Sequence, residues 1–237
     1  MTRNTKLALV LVSCAGAFAP LQGHAEMLER EGTFGGLDVT YRVVLPDDYD
    51  ASARYPVVLH LVGGSQNLEI VQSSLTTDWQ ALAEEQGLIV VSPVSPNGDL
   101  FFRSADVIFP DFLDFLVAEY QPEGGLLQVT GHSNGGLSAF HVASLYPEYF
   151  ISVTGYPGLL NDTSRMDALS GLCIFMHVGD QDPGWLGAME QQAADFERLG
   201  YTVAFTVEPG HVHRLDTTRD NLAQRLFDEL AMAREGC

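Results

Sequence analysis

A single α/β domain, with a mostly parallel central sheet and helices on both faces, is the fold class this sequence predicts. Three observations predict it. Strand-like apolar runs alternate with amphipathic runs of helix length along the chain, the signature of repeated strand–helix units. The run Pro56 to Val62 is continuously apolar, as a strand covered on both faces must be. The 237 residues suffice for one substantial core and not for two comfortable ones.

In chain order, Leu37 to Leu45 alternates like a half-buried strand and stops at Pro46. Pro56 to Val62 is the buried strand. Trp79 to Gln86 reads as a helix ended by Gly87, and Leu88 to Val91 as a strand closed by Ser92-Pro93. Phe112, Phe115 and Leu116 mark the apolar face of a helix from about Ser104 to Tyr120, with Pro110 as a kink or restart. Leu126 to Thr130 is a short apolar strand, and Leu137 to Leu145 is helix-like. Ile151 to Thr154 and Leu172 to Val178 are strands. Trp185 to Leu199 is a helix ended by Gly200, followed by a β-rich run from Tyr201 to Val207. Leu222, Leu226, Phe227 and Leu230 line one face of a last helix, entered near Thr217 or Thr218. So few residues separate the strand at Thr154 from the one at Leu172 that no helical lid domain fits, and an open site is expected.

The first 25 residues read as a leader rather than as fold. Arg3 and Lys6 give a positive start, Leu7 to Phe18 is apolar, and Gly23-His24-Ala25 supplies small residues for cleavage after Ala25. The mature domain would then span 26–237, secreted or periplasmic. Leu11-Val12-Ser13-Cys14 offers a competing reading, a lipoprotein box with Cys14 lipidated. No other segment approaches the length of a membrane span.

The formal charge is −19, near −21 without the leader's two cations. Lys6 is the only lysine. So acidic a surface argues against nucleic acid and anionic membrane as partners, and a monomer is expected. Two cysteines remain in the mature chain, Cys173 and Cys237. Either they pair across a long loop, or they stay a buried strand thiol and a frayed terminal thiol.

The chemistry concentrates at Gly131-His132-Ser133-Asn134-Gly135. A strand, then G-x-S-x-G, then a helix is the context in which a sharp turn lifts a serine hydroxyl above the sheet edge. A serine hydroxyl is a poor nucleophile at neutral pH and needs a base, which needs an orienting acid. The acid belongs in a loop after a later strand. His177-Val178-Gly179-Asp180-Gln181-Asp182 supplies Asp182, three residues after the glycine, with Asp180 as the alternative. The base belongs between the last strand and the last helix, where Pro209-Gly210-His211-Val212-His213 offers two histidines. His213 lies nearer the helix and is preferred over His211. The backbone amide of Asn134, together with that of Gly64 or Ser65 in the Gly63-Gly64-Ser65 turn, would bind the oxyanion. His60, His132, His141 and His177 sit within or beside predicted elements and read as core or surface histidines. A metal site from His211, His213, Asp180 and Asp182 is the rival constellation, but it would leave the serine turn without a purpose.

These stretches resemble the α/β-hydrolase superfamily, and within it the secreted esterase branch of feruloyl esterases and poly(hydroxyalkanoate) depolymerases. The similarity runs from Tyr41-Arg42-Val43-Val44-Leu45-Pro46 through Arg54-Tyr55-Pro56-Val57-Val58 to Gly131-His132-Ser133-Asn134-Gly135-Gly136. It continues at His177 to Trp185 and at Pro209 to His213. The resemblance implies ester hydrolysis through an acyl-enzyme, with Ser133 as nucleophile, His213 as base and Asp182 as its orienter. It implies no metal and no organic cofactor. The partner would be a small-molecule or polymeric ester; the alternatives are a peptidase or an acyltransferase of the same fold, or a non-catalytic or metal-binding module that kept the fold. One departure stands out: the family's His-Gly corner falls on Val62-Gly63, so the brace a histidine would give that loop is missing. Trp185 is placed either as a wall of the site or as packing, and Trp79 as core.

Overall fold

The computed structural model describes residues 26–237; the leader, its cleavage position and Cys14 lie outside the described residues. Eight strands form one sheet: β1 (Glu26–Phe34), β2 (Leu37–Leu45), β3 (Val57–Leu61), β4 (Ile89–Pro93), β5 (Leu127–Gly131), β6 (Phe150–Gly155), β7 (Cys173–Gly179) and β8 (Val203–Glu208). Their spatial order is β1-β2-β4-β3-β5-β6-β7-β8. β1 pairs with β2 and β2 with β4 antiparallel, and every other pairing is parallel. This is the mostly parallel α/β-hydrolase sheet that the sequence predicts.

The predicted all-buried strand β3 is buried at every position, and so are β4, β5 and β7, whereas β2 alternates. Six α-helices cover the two faces: α1 (Leu68–Ser74), α2 (Gln80–Gln86), α3 (Phe109–Tyr120), α4 (Asn134–Leu145), α5 (Leu186–Arg198) and α6 (Leu222–Glu235). On one face, Phe112 and Leu116 of α3, Phe140 of α4 and Phe196 of α5 pack with Leu59, Val129 and Ile174 of the sheet. On the other, Val71 of α1, Ala83 of α2 and Phe227 and Leu230 of α6 pack with Trp79, Val58 and Val90. Trp79 is core, as expected.

Several elements differ from the sequence reading. β1 was not anticipated, because its residues are mostly exposed and carry no apolar alternation; a Gly35-Gly36 turn with both residues at positive φ folds it onto β2. The helix placed at Trp79 begins earlier, as α1 and a π-helical turn over Leu75–Trp79 leading into α2. The Ser104–Tyr120 helix is a 3-10 segment, Ser104–Ile108, followed by α3 with Pro110 in its first turn, so the proline restarts the helix. The last helix begins at Leu222 instead of Thr217 or Thr218. Both threonines are held elsewhere, Thr217 Oγ1 on Asp78 and Thr218 on Asp216.

Cys173, at the start of β7, forms a disulfide with Cys237, 64 residues later. Closing so long a loop stabilises the fold by about 4 kcal/mol through the entropy it removes from the unfolded chain. The bond fastens the end of α6 to the sheet.

Candidate active site

Ser133 sits between β5 and α4 with φ 57° and ψ −121°, a left-handed conformation that costs a non-glycine residue on the order of 1–3 kcal/mol. The turn is tight enough that a Cβ at Gly135 would lie 1.8 Å from the Leu61 carbonyl oxygen. The Ser133 amide donates to the Pro157 carbonyl at 2.8 Å, and Gly135 N donates to the His132 carbonyl at 2.8 Å. α4 starts at Asn134 rather than Leu137, so Ser133 stands at a helix N-terminus, where developing negative charge is favoured.

Five of the sequence candidates come together in two hydrogen-bonded groups. His213 Nε2 lies 2.8 Å from Ser133 Oγ, and His213 Nδ1 lies 2.7 Å from Asp182 Oδ2. Asp182 is buried. The side chain of Asn134 donates to the Gly64 carbonyl at 2.8 Å, tying the Gly63-Gly64 turn to the start of α4. Because a trans peptide sets its N–H opposite its C=O, this bond turns the Ser65 amide away from Asn134.

The alternatives are occupied elsewhere. Asp180 Oδ1 accepts from the Gly210 amide at 2.8 Å, while Gln181 N donates to the His211 carbonyl at 2.9 Å. Those bonds stitch the loop of Asp182 to the loop of His213. His211 is buried, and its Nδ1 accepts from the Asp216 amide at 3.2 Å. The four residues of the rival metal constellation therefore do not converge. Among the described residues, no three His, Cys, Asp or Glu side chains form a metal-binding group.

Of the remaining histidines, burial, and then the charge of His213, hold His132 near a pKa of about 4. Burial, with His132 adding to it, holds His60 at about 3, and both rings stay neutral. His141 lies on Asp106 at 2.9 Å. Trp185 packs its ring 5.4 Å from that of His213, between the core and the site.

Two supports were not legible beforehand. Gln66 is fully buried. Its Nε2 donates to the Val62 carbonyl and to Ser138 Oγ of α4, both at 3.0 Å, and its Oε1 accepts from Phe101 N at 3.0 Å. This glutamine braces the glycine turn where the family pattern has a histidine corner. The only sequence cue was a long polar side chain directly after Gly63-Gly64-Ser65. Gln66→Leu strands these buried partners, so unfolding free energy should fall by about 2–4 kcal/mol, read from the denaturant midpoint at unchanged slope.

The second support lies beneath the two loops. His177 of β7 holds Glu208 of β8 through Nδ1 and Glu229 of α6 through Nε2, both at 2.9 Å. Arg225 of α6 clasps both Glu208 oxygens at 2.9 and 2.6 Å. Burial alone would lower the His177 pKa, but the two carboxylates outweigh it and raise it above the usual value. A histidine whose folded pKa is raised stabilises the protein fully below its unfolded pKa of about 6.5 and loses that contribution as pH rises through the folded value. Thermal stability should therefore decline on the alkaline side of neutrality, and His177→Gln should flatten that part of a melting-temperature profile taken from pH 6 to 9.

The model of the Esterase family matches residues 34–192. Acetylxylan esterase A of Aspergillus awamori is 23% identical over 216 residues, covering 80% of this chain and 69% of the relative. Dipeptidyl-peptidase 5 of Porphyromonas gingivalis is 30% identical over 142 residues, covering 54% of this chain; that stretch is 20% of the peptidase's own length. Among solved structures, a feruloyl esterase module from Clostridium thermocellum complexed with sinapinate superposes with a TM-score of 0.69 at 16% identity, covering 90% of this chain and 89% of the module. An esterase of Pyrobaculum calidifontis gives a TM-score of 0.69 at 17% identity, covering 90% of this chain and 87% of that one.

Proposed function

The chain belongs to the Esterase family, and from that premise we propose that it hydrolyses carboxylic esters through an acyl-enzyme on Ser133. The observation that carries the reading is the continuous hydrogen-bond chain from Ser133 Oγ through His213 to Asp182, at 2.8 and 2.7 Å. Ser133 Oγ attacks the ester carbonyl carbon as its proton passes to His213 Nε2. Asp182, on Nδ1, keeps the ring in the tautomer that leaves Nε2 free to accept, and stabilises the imidazolium that forms. The tetrahedral oxyanion is held by the amides of Asn134 and Gly64. The carbon–oxygen bond to the alcohol then breaks, and His213 returns its proton to the leaving oxygen. Water, deprotonated by His213, attacks the acyl carbon, releases the acid and restores Ser133. Every atom in this cycle comes from the chain, the ester or water. Small esters and ester groups on polymers are both candidate substrates.

The deciding experiment combines labelling and turnover. A fluorophosphonate probe should modify Ser133 at one per chain, identified by peptide mass, and abolish hydrolysis of short-chain p-nitrophenyl esters in proportion. Labelling elsewhere, or turnover that survives complete labelling, overturns the assignment. The kinship with the dipeptidyl-peptidase makes amide hydrolysis the second reading, and dipeptidyl p-nitroanilides cleaved faster than the esters would favour it.

A further inference from the structure

A cavity of about 420 Å³ adjoins the catalytic corner without being part of it. Gly64 of the oxyanion turn, His132 just before Ser133, and Arg214 and Leu215 just after His213 line it toward the triad. Its other side is polar and built by the π-helical turn, with Ser74 and Asp78 facing Thr217. A π turn is rare and is frequently found at functional sites. Here it aims Asp78, whose Oδ1 accepts from Thr217 Oγ1 at 3.0 Å and whose Oδ2 accepts from Ser74 Oγ at 3.3 Å.

Two protein donors leave the Asp78 carboxylate with acceptor capacity unused. Burial raises the pKa of this carboxyl, and the Arg214 charge opposes the rise. The two groups already bonded to Asp78 are neutral hydroxyls, and a further hydroxyl donor fits the remaining acceptor position. An anionic group would meet Asp78 and the nearby Glu69 and be repelled. His132, neutral and lining the same space, carries a buried Nε2 with no hydrogen-bond partner among the described residues.

We propose that this cavity is a recognition subsite for a hydroxyl-bearing portion of the ester, with Asp78 accepting its hydrogen bond. The inference rests on Ser133 being the nucleophile, because only then does a group in the cavity belong to the bound ester. The hydroxyl can come from the acid or from the alcohol, since both halves meet at a carbon held between Gly64 and His213.

The test uses two matched pairs under pH-stat titration. Methyl 3-hydroxybutyrate against methyl butyrate reports the acid side, and 2,3-dihydroxypropyl butyrate against propyl butyrate reports the alcohol side. In one pair, wild-type kcat/KM should favour the hydroxylated ester by about tenfold or more. In Asp78→Asn, which can still accept from Thr217, that ratio should shrink to within about twofold of unity. Wild-type ratios near one in both pairs overturn the subsite, and so does a preference that survives in a folded Asp78→Asn. The wild-type ratios decide even where the variant does not fold. Butyrate esters turned over with flat ratios would sink the subsite alone; no ester turned over at all would sink the Ser133 reading with it.

Discussion

Ser133→Ala is expected to lower kcat on p-nitrophenyl acetate by on the order of 10⁵–10⁶-fold, with the fold and the melting temperature nearly unchanged. The alanine removes the attacking oxygen and relaxes nothing in the core, because the Oγ is bonded to His213 alone among the described residues. His213→Ala should cost as much, since a hydroxyl with no acceptor for its proton is hardly a nucleophile. The double variant should be no worse than either single one, because serine and histidine act as one unit in the transition state. Multiplicative losses, or a His213→Ala enzyme within tenfold of wild type, would refute the pairing. His211→Ala supplies the contrast: its ring is buried and bonded to Asp216, so that variant should lose stability rather than chemistry.

The second large effect divides two aspartates that stand two residues apart. Asp182→Asn should reduce kcat by about 10⁴-fold near neutral pH, because an amide facing Nδ1 favours the wrong imidazole tautomer and cannot stabilise the imidazolium. Asp180→Asn retains an oxygen for the Gly210 amide and should change kcat by less than about threefold. Steady-state rates for both variants, with a melting curve for each, check the assignment. Similar losses in the two would mean that the loop, rather than the Asp182 charge, is what the base requires.

How much of this could be read in advance depended on whether the cause was local. The buried strands were legible because β3 and β7, covered on both faces, are predominantly apolar, each with a single histidine. The serine turn was legible because its glycines answer a steric demand contained within five residues. Asp182 and His213 were each preferred in the sequence over one rival, but the contacts across the two loops that hold Asp180 and His211 elsewhere were not readable there. β1 escaped because it is an edge strand held by backbone pairing, with little burial to pattern its side chains. Gln66 escaped because a buried glutamine differs from an exposed one in its partners, and two of its three lie 35 and 72 positions away. The π turn escaped for a similar reason, since tertiary contacts set a helical register that local propensity leaves open.

The disulfide also bears on how His213, the proposed base, is held. Upstream, the stretch carrying His213 leaves β8 at Glu208, clasped by His177 and Arg225; downstream it runs into α6, whose far end is bolted to β7 by Cys237. A segment fastened on both sides cannot fray from either of them, so the His213 imidazole stays in place while the sheet stays intact. Loss of the base should thus accompany general melting of the molecule instead of preceding it.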